Sequence, residues 1–413
     1  MAKKQIGLLG ALAIGMASML GAGVFVVFRD AFNFAGVWLF AALALAAFVA
    51  SLNAASTYQL ARQVDRPGGA YAYARVYRNE TWSFLAGFAF VFGKIGSVAA
   101  IAIVFGEYVF PAQRHLVAVV AILLMVTVNV LGIQRTAGIA AVLSVSTTAF
   151  LLFAIAVGAA NLGHLAAAPD AALANQITIP QAPGWGIVTG ASLIFFAFAG
   201  YARVATLGNE VRDAKRNIPR AIVISLSAVL VIYLLLATFL SRVLGVKLAT
   251  AQAPFVAYFN AVGMHIDLLV LVVATAASLG SILALLAGVS RTAAEMAVDR
   301  ELPKIFALRN RFGAPWVAEV LIAIGASALV YSGDLSSVIG FSSFSVLFYY
   351  SVAHLSALGQ PKAERIMPRA LSVLGLLLCL VLAFSAPGPA VATSSLILVA
   401  AVVARRLIRV ESK

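Results

Sequence analysis

The chain has 413 residues, of which 63% are hydrophobic and only 11% are charged, and its formal net charge is +14. Soluble domains contain roughly 45–50% apolar and about 25% charged residues, so this composition excludes a soluble globular protein. Long unbroken apolar runs such as 221–240 predict membrane-spanning helices, because barrel strands would alternate in hydrophobicity. The single cysteine, Cys379, excludes an internal disulfide and a cysteine-rich metal site.

Apolar runs predict an all-α polytopic membrane protein of about twelve helices. An even number of helices places both termini on the same side of the membrane. The first run is longer than the apolar region of a signal peptide, so we expect it to be retained. The predicted helices are 7–28, 33–62, 82–109, 115–132, 137–161, 187–207, 219–241, 263–298, 315–332, 335–357, 367–386 and 390–408.

The distribution of basic residues predicts the orientation, because lysine and arginine concentrate in cytoplasmic loops. With both termini in the cytoplasm, most of the 29 basic residues fall on that side. We therefore expect an integral protein of a bacterial inner membrane with cytoplasmic termini. Basic loops of this kind meet anionic lipid, so the positive charge does not indicate nucleic acid as a partner. The opposite side carries only Arg29, Arg114, Arg242 and Lys247.

Two predicted helices contain glycines near their middle, at 21–24 in helix 1 and at 198–201 in helix 6. One interpretation is close packing between helices through small residues. The other is a pair of discontinuous helices, each of which begins a block of five helices. Because five is odd, the second block enters the membrane from the opposite side, which predicts an inverted repeat. Broken helices expose backbone N–H and C=O groups, and a zwitterionic amino acid needs both.

Four motifs resemble those of the amino acid–polyamine–organocation (APC) transporter superfamily, and the resemblance covers nearly the whole chain. It implies one transporter domain, 1–413, with a first inverted repeat at about 7–161, a second at about 187–357 and extra helices at about 367–408. The motifs are GAGVF at 21–25, RPGGAYAY at 66–73, FAGY at 198–201 with NE at 209–210 and RNIP at 216–219, and SRTAAEMAVDRELP at 290–303.

The resemblance also implies where a substrate binds. Phe196 matches an aromatic gate over the substrate and Leu285 a position lining the side-chain pocket, although ordinary packing is the alternative for both. Phe198 and Ile95 complete the predicted pocket surface, and Gly200 lies in the helix 6 break. The substrate carboxylate would meet Ala22, Gly23 and Val24, and its ammonium group would meet carbonyls near Met19, Leu20, Phe196 and Ala199.

The chain departs from the family pattern at two places, one that bears on gating and one that bears on ion coupling. Many family members have an acidic residue two positions after the helix 6 glycine, and this chain has Ala202 at that position. Some members have a lysine in helix 5, and this chain has Thr147 at the corresponding position. Together with Thr147, Ser278 and Ser281 could build a sodium site with carbonyls of helix 1. Alternatively, these hydroxyls bond back to their own helix.

Two charges are predicted inside the membrane, Lys94 in helix 3 and Arg203 just after the helix 6 break. A charge near the bilayer centre costs about 2.5–3.5 kcal/mol on insertion scales, so each needs a cavity or a partner. Lys94 is predicted to face the central cavity, as a titratable group or as a partner of the substrate, or else to contact carbonyls of a broken helix. Its neighbours Gly93 and Gly96 predict close contact with another helix. Arg203 is predicted to form a gate or a structural ion pair.

The sequence therefore predicts a secondary active transporter, symporter or antiporter, of amino acids that works by alternating access. A pocket that is apolar and lacks an acid favours neutral substrates, while amines or polyamines are the alternative on the same fold. A channel or a non-transporting binding protein is the alternative class, although no potassium-channel filter is present. No catalytic motif, metal cluster or phosphate-binding loop is present, so neither an enzyme nor a cofactor is expected. Sodium and protons remain open as coupling ions, and flux direction and oligomeric state are not predicted.

Overall fold

The computed structural model describes residues 6–64, 68–131, 133–161, 184–201, 204 and 211–411, and their side chains outside 133–144, 201 and 408–411. These residues are almost entirely helical and contain no strand. One isolated parallel bridge joins Ile6 to Val211, and Arg212 donates its amide to the Ile6 carbonyl over 2.8 Å. The start of the chain is therefore tied to the segment that leads into the seventh predicted span.

The structure places helices in every predicted segment. In chain order the α-helices are α1 Leu8–Met19, α2 Val27–Ala35, α3 Leu39–Ala61, α4 Ala70–Tyr77, α5 Glu80–Val109, α6 Arg114–Val130, α7 Ile133–Ala160, α8 Trp185–Phe198, α9 Ala214–Leu244, α10 Pro254–Ala261, α11 Asp267–Val298, α12 Trp316–Val330, α13 Leu335–Gly359, α14 Arg369–Phe384 and α15 Gly388–Glu411. Short 3₁₀ segments occupy Ala22–Phe25, Gly36–Trp38, Pro111–Gln113, Ala199–Tyr201, Gly245–Ala249, Lys304–Ala307 and Lys362–Glu364.

Many of these helices have the length and apolarity of membrane spans. Among the described residues, eight helical segments are long and apolar enough to cross a membrane, and four shorter apolar helices accompany them. The shorter ones are Val145–Ala160, Trp185–Phe198, Trp316–Val330 and Arg369–Phe384. The fold is thus that of a polytopic membrane protein, while the number of twelve spans and the inverted repeats stay predictions.

The boundary between the first two predicted helices is wrong. Helix 1 was predicted to end at 28 and helix 2 to begin at 33, whereas α2 runs through this stretch from Val27 to Ala35. The chain turns only at Gly36, whose φ of 54° favours glycine. Arg29, assigned from sequence to an external loop, therefore lies in a helix and is 8% exposed.

The core of the bundle is built around α5, which packs against both α11 and α13. A Cβ on Gly93 would lie 2.8 Å from Ser345 Cβ, and one on Gly96 would lie 2.7 Å from the Phe341 ring. This confirms the predicted close contact with another helix, which is α13. The other central helix, α8, packs against α2 and α3, while α1 packs against α9. The two predicted breaks therefore lie inside the bundle.

Candidate substrate-binding site

The first helix is interrupted in the middle of the bundle. Helix α1 ends at Met19, and Gly21 has extended backbone with φ −78° and ψ −164° before a 3₁₀ turn from Ala22 to Phe25. The first amides of a helical segment have no acceptor within it, which leaves those of Ala22 and Gly23 available. All four residues of the turn are buried. The interruption therefore presents backbone polar groups inside the protein.

The second interruption lies directly against the first. Helix α8 ends at Phe198 and continues as the 3₁₀ turn Ala199–Tyr201. A Cβ on Gly200 would collide with the carbonyl oxygen of Ser18 and would lie 2.7 Å from the amide nitrogen of Met19. Only glycine allows the two backbones to approach this closely. The two glycine-containing segments predicted as breaks are thus in direct contact.

Tyr233 of α9 links the two interruptions. Its hydroxyl lies 2.6 Å from the Met19 carbonyl and 3.1 Å from the Ala197 carbonyl, and it donates to both in a shared hydrogen bond. The ring packs edge-on against Phe28 and Phe198 at centroid distances of 5.9 and 5.0 Å. Tyr233 was not among the site residues predicted from the sequence. The available signal was a lone hydroxyl-bearing aromatic within an apolar run, at the height of the two breaks.

Lys94 reaches the second interruption from α5. Its Nζ lies 3.3 Å from the carbonyl oxygen of Ala199 and 6.0 Å from the centroid of the Phe90 ring, and the residue is only 6% exposed. This is the contact with a broken helix that the sequence analysis gave as one of its two alternatives. Ala199 lies where the α-helix α8 gives way to the 3₁₀ turn Ala199–Tyr201. A role for Lys94 in coupling stays a prediction.

Small residues of the first interruption are covered by side chains from other helices. A Cβ on Gly23 would lie 2.8 Å from Cε1 of Phe196, so this ring rests on the Ala22–Phe25 turn. A Cβ on Gly21 would collide with the hydroxyl of Ser281 on α11. The aromatic residue and the serine predicted near the breaks are therefore in contact with them. Their roles toward a substrate or an ion stay predictions.

The remaining predicted site residues differ in their surroundings. Ile95 contacts α12, because a Cβ on Gly325 would lie 3.4 Å from its Cγ2. Leu285 is half-buried against the core. The Ser278 hydroxyl is buried without a hydrogen-bond partner among the described residues, so it does not bond back to its own helix. Arg203 lies outside the described residues. Leu20, Val24, Thr147 and Phe198 are buried.

A charged cluster closes the bundle on the side of α2. Arg29 pairs with Asp30 and with Glu107, each at 3.1 Å, and donates to the Gln252 carbonyl at 3.2 Å. Arg114 reaches the same Glu107 at 3.3 Å. Arg29, Asp30 and Glu107 are each less than a tenth exposed, so pairing is needed to offset the desolvation of their charges. The cluster joins α2 to the end of α5 and to the segment before α10.

A second cluster at the opposite end of the bundle brings together two motifs of the sequence analysis. The Tyr71 hydroxyl donates to Asp299 Oδ2 over 2.5 Å, and Arg75 pairs with Asp299 at 2.8 Å and with Glu301 at 3.5 Å. Burial and the neighbouring Asp299 carboxylate raise the pKa of Tyr71. Gly69, with φ of 57°, begins the helix that carries Tyr71. This cluster ties α4 to the end of α11.

Comparison with known proteins identifies the family. A family model described as amino acid permease matches residues 6–408. The chain belongs to the amino acid permease family. The APC resemblance drawn from the motifs is thereby confirmed, and this permease is an integral membrane transporter rather than an enzyme.

The relatives of this permease are also transporters. Uncharacterized transporters of Mycobacterium bovis and Mycobacterium tuberculosis are each 42% identical over 98% of this chain and 92% of their own length. A chloroplastic cationic amino acid transporter of Arabidopsis thaliana is 26% identical over 83% of this chain and 63% of its own length. These similarities support the fold and the transporter class.

Proposed function

We propose that this permease is a secondary active transporter or exchanger of neutral amino acids that works by alternating access. The observation that carries the proposal is the contact between the two helix interruptions, where Gly200 lies on the backbone of Ser18 and Met19. Amides at the start of one segment and carbonyls at the end of another then lie side by side inside the bundle. A zwitterion matches this pairing of donors and acceptors.

In the proposed complex, the substrate carboxylate accepts hydrogen bonds from the first amides of the 3₁₀ turn, those of Ala22 and Gly23. Helix N-termini bind anions because their N–H groups are unsatisfied and their dipole is positive. The ammonium group donates to the carbonyls of Met19 and Ala199. Each of these oxygens has two lone pairs, and Tyr233 and Lys94 each use one. Phe196 covers the bound substrate.

Charge favours a neutral side chain in the substrate. Lys94 places a cation beside the second interruption, and a cationic substrate side chain nearby would be repelled in a medium of low dielectric constant. The predicted lining residues Phe196, Phe198 and Leu285 are apolar. A cationic amino acid or an amine is the second candidate. It is favoured by the similarity to plant relatives that are described as cationic amino acid transporters.

Alternating access needs two closures that open in turn. The Arg29–Glu107 cluster and the Tyr71–Asp299 cluster are both formed, and the residues of the interruptions are buried. In the proposed cycle this arrangement corresponds to the occluded conformation. We propose that substrate reaches the site when one cluster separates while the other stays intact. A channel, the alternative class, would need both ends open together.

We propose two alternative coupling ions, sodium and protons. The buried Ser278 hydroxyl lacks a partner, and together with Ser281 beside Gly21 it offers oxygens to sodium. Protonation of Lys94 offers proton coupling instead. We place the permease in a bacterial inner membrane with both termini cytoplasmic, on the basis of its basic loops.

Ligand binding by the purified permease tests the substrate class. Thermal stabilisation is measured against the twenty amino acids and common polyamines, with sodium or with choline as the cation. We expect a few neutral amino acids to stabilise the permease. Each of them adds a free energy of RT ln(1 + [L]/Kd) to the unfolding free energy. If sodium increases this stabilisation in the wild-type protein but not in Ser278→Ala, the result supports a sodium site at Ser278 and Ser281. A shift with arginine or polyamines alone overturns the neutral class and keeps the site.

A further inference from the structure

A cationic pocket of about 480 Å³ lies away from the helix interruptions, where the end of α3 meets the start of α9. Four of its side chains are basic and exposed to solvent. It opens at the end of the bundle that carries most of the lysines and arginines. Its lining residues are Tyr58, Arg62, Gln63, Lys215, Arg216 and Arg220.

The basic side chains of this pocket have no acidic partner within the described part of the chain, where no ion pair joins them to a carboxylate. The ring centroid of Tyr58 lies 6.0 Å from Cζ of Arg62. Like charges held together repel one another, and an anion in the pocket relieves that repulsion. Guanidinium groups bind phosphate with two parallel hydrogen bonds. The chemistry of the pocket therefore fits a phosphate group.

An apolar groove of about 220 Å³ continues from the pocket between the same two helices, and Tyr58 lines both. Its residues recur every three or four positions, as they do on one face of a helix. From Val223 to Leu230 the groove extends about 10 Å at 1.5 Å per residue, which is about a third of a 30 Å hydrocarbon core and so lies within one leaflet. Its lining residues are Ser51, Ala54, Ala55, Tyr58, Val223, Leu226, Ser227, Leu230 and Met367.

We propose that the pocket and the groove together bind one anionic phospholipid. The phosphate lies among Arg62, Arg216 and Arg220, and one acyl chain lies along the groove between α3 and α9. A soluble phosphate compound would use the pocket and leave the apolar groove empty, so the continuity of the two favours a lipid. The site does not depend on the identity of the transported substrate.

The test compares three ligands on the purified full-length permease in detergent. These are phosphatidylglycerol, phosphatidylcholine with the same acyl chains, and glycerol 3-phosphate, each titrated with thermal stability and native mass spectrometry as readouts. The pocket variant combines Arg62→Gln, Arg216→Gln and Arg220→Gln. Its matched control combines Lys304→Gln, Arg311→Gln and Lys362→Gln, which removes the same charge from exposed positions outside the pocket. Exposed substitutions of this kind leave the fold intact.

We expect phosphatidylglycerol to bind the wild-type and control proteins at least tenfold more tightly than phosphatidylcholine, because each basic residue near an anionic headgroup adds to the affinity. The pocket variant loses this preference. Ser227→Trp, which fills the groove and keeps every charge, weakens phosphatidylglycerol binding as well. Equal losses in the pocket variant and its control overturn the proposal, and so does unchanged binding in Ser227→Trp. Equal binding of glycerol 3-phosphate assigns the pocket to a soluble phosphate and also overturns it.

Discussion

The Nζ atom of Lys94 lies 3.3 Å from the carbonyl oxygen of Ala199. A side chain from α5 thus contacts the backbone where α8 stops being α-helical, beside the interruption of the first helix. A charged group at this depth is expensive in a membrane, and the contact with a backbone carbonyl reduces the cost. The same contact brings a titratable group to the proposed substrate site.

Replacing Lys94 with methionine keeps an unbranched side chain, one atom shorter than that of lysine, and removes the charge. Hydrogen bonds to charged groups contribute about 1.5–3 kcal/mol, so we expect amino acid exchange in proteoliposomes to fall roughly tenfold or more and its pH dependence to change. Lys304→Met, at an exposed position, serves as the control. Normal exchange with an unchanged pH profile in Lys94→Met would show that the contact is structural only.

Tyr233→Phe removes one hydroxyl and leaves the ring packing in place. The buried carbonyls of Met19 and Ala197 lose their shared donor, which costs about 1–3 kcal/mol of unfolding free energy. We expect a comparable weakening of substrate binding, because the two interruptions are no longer linked. Thermal shift titrations with and without substrate separate the two effects.

Tyr258→Phe is the matched control for this substitution. Its hydroxyl donates to a single backbone carbonyl, that of Ala154, over 2.9 Å, and it lies outside the interruptions. Burial raises the pKa of this hydroxyl to about 12, so it stays protonated at neutral pH. Thermal stability should fall in both variants, whereas substrate affinity should fall only in Tyr233→Phe. Equal affinity losses in the two variants would contradict the linking role of Tyr233.

Gly200→Ala tests the close approach of the interruptions. The added methyl group meets the backbone of Ser18 and Met19, which no change of rotamer can relieve, so a shift of one segment is required. Overpacking of this kind costs about 1–3 kcal/mol or more, and we expect loss of substrate binding even if the protein folds. Gly325→Ala, which meets only Ile95 at an ordinary 3.4 Å, should behave like wild type. Tight binding in Gly200→Ala would refute the geometry.

Glu107→Gln tests the cluster on the side of α2. This carboxylate pairs with Arg29 at 3.1 Å and with Arg114 at 3.3 Å. Removing one partner of a buried ion pair costs about 3–5 kcal/mol, because the remaining charge is left unpaired. We expect a large drop in thermal stability, with part of it recovered in the double variant Arg29→Met, Glu107→Gln. Strictly additive losses would show that the two side chains do not interact.

The sequence predicted the features that depend on composition and spacing. Apolar runs located the helices, and the glycines at 21, 23 and 200 marked the two interruptions that the structure brings together. Gly93 and Gly96 predicted the contact of α5 with α13. These features follow from local properties of the chain, since each needs only the residue type and the helical period.

The partners across the bundle could not be read in the same way. Tyr233 is 36 residues from Ala197, and nothing in its neighbourhood in the chain indicates which carbonyls it reaches. Arg29 was placed in a loop because its charge ends an apolar run, yet Glu107, far along the chain, stabilises it inside. The orphan hydroxyl of Ser278 likewise depends on three-dimensional packing.

Counterflow in proteoliposomes is the most direct test of alternating access at the helix interruptions. Vesicles loaded with one unlabelled neutral amino acid are diluted into the same labelled amino acid, and uptake is compared with that of empty vesicles and of vesicles loaded with arginine or putrescine. We expect saturable uptake that a neutral internal amino acid accelerates, because alternating access exchanges one substrate for another. Uptake that rises linearly with concentration and is indifferent to the internal solute would contradict alternating access at the helix interruptions.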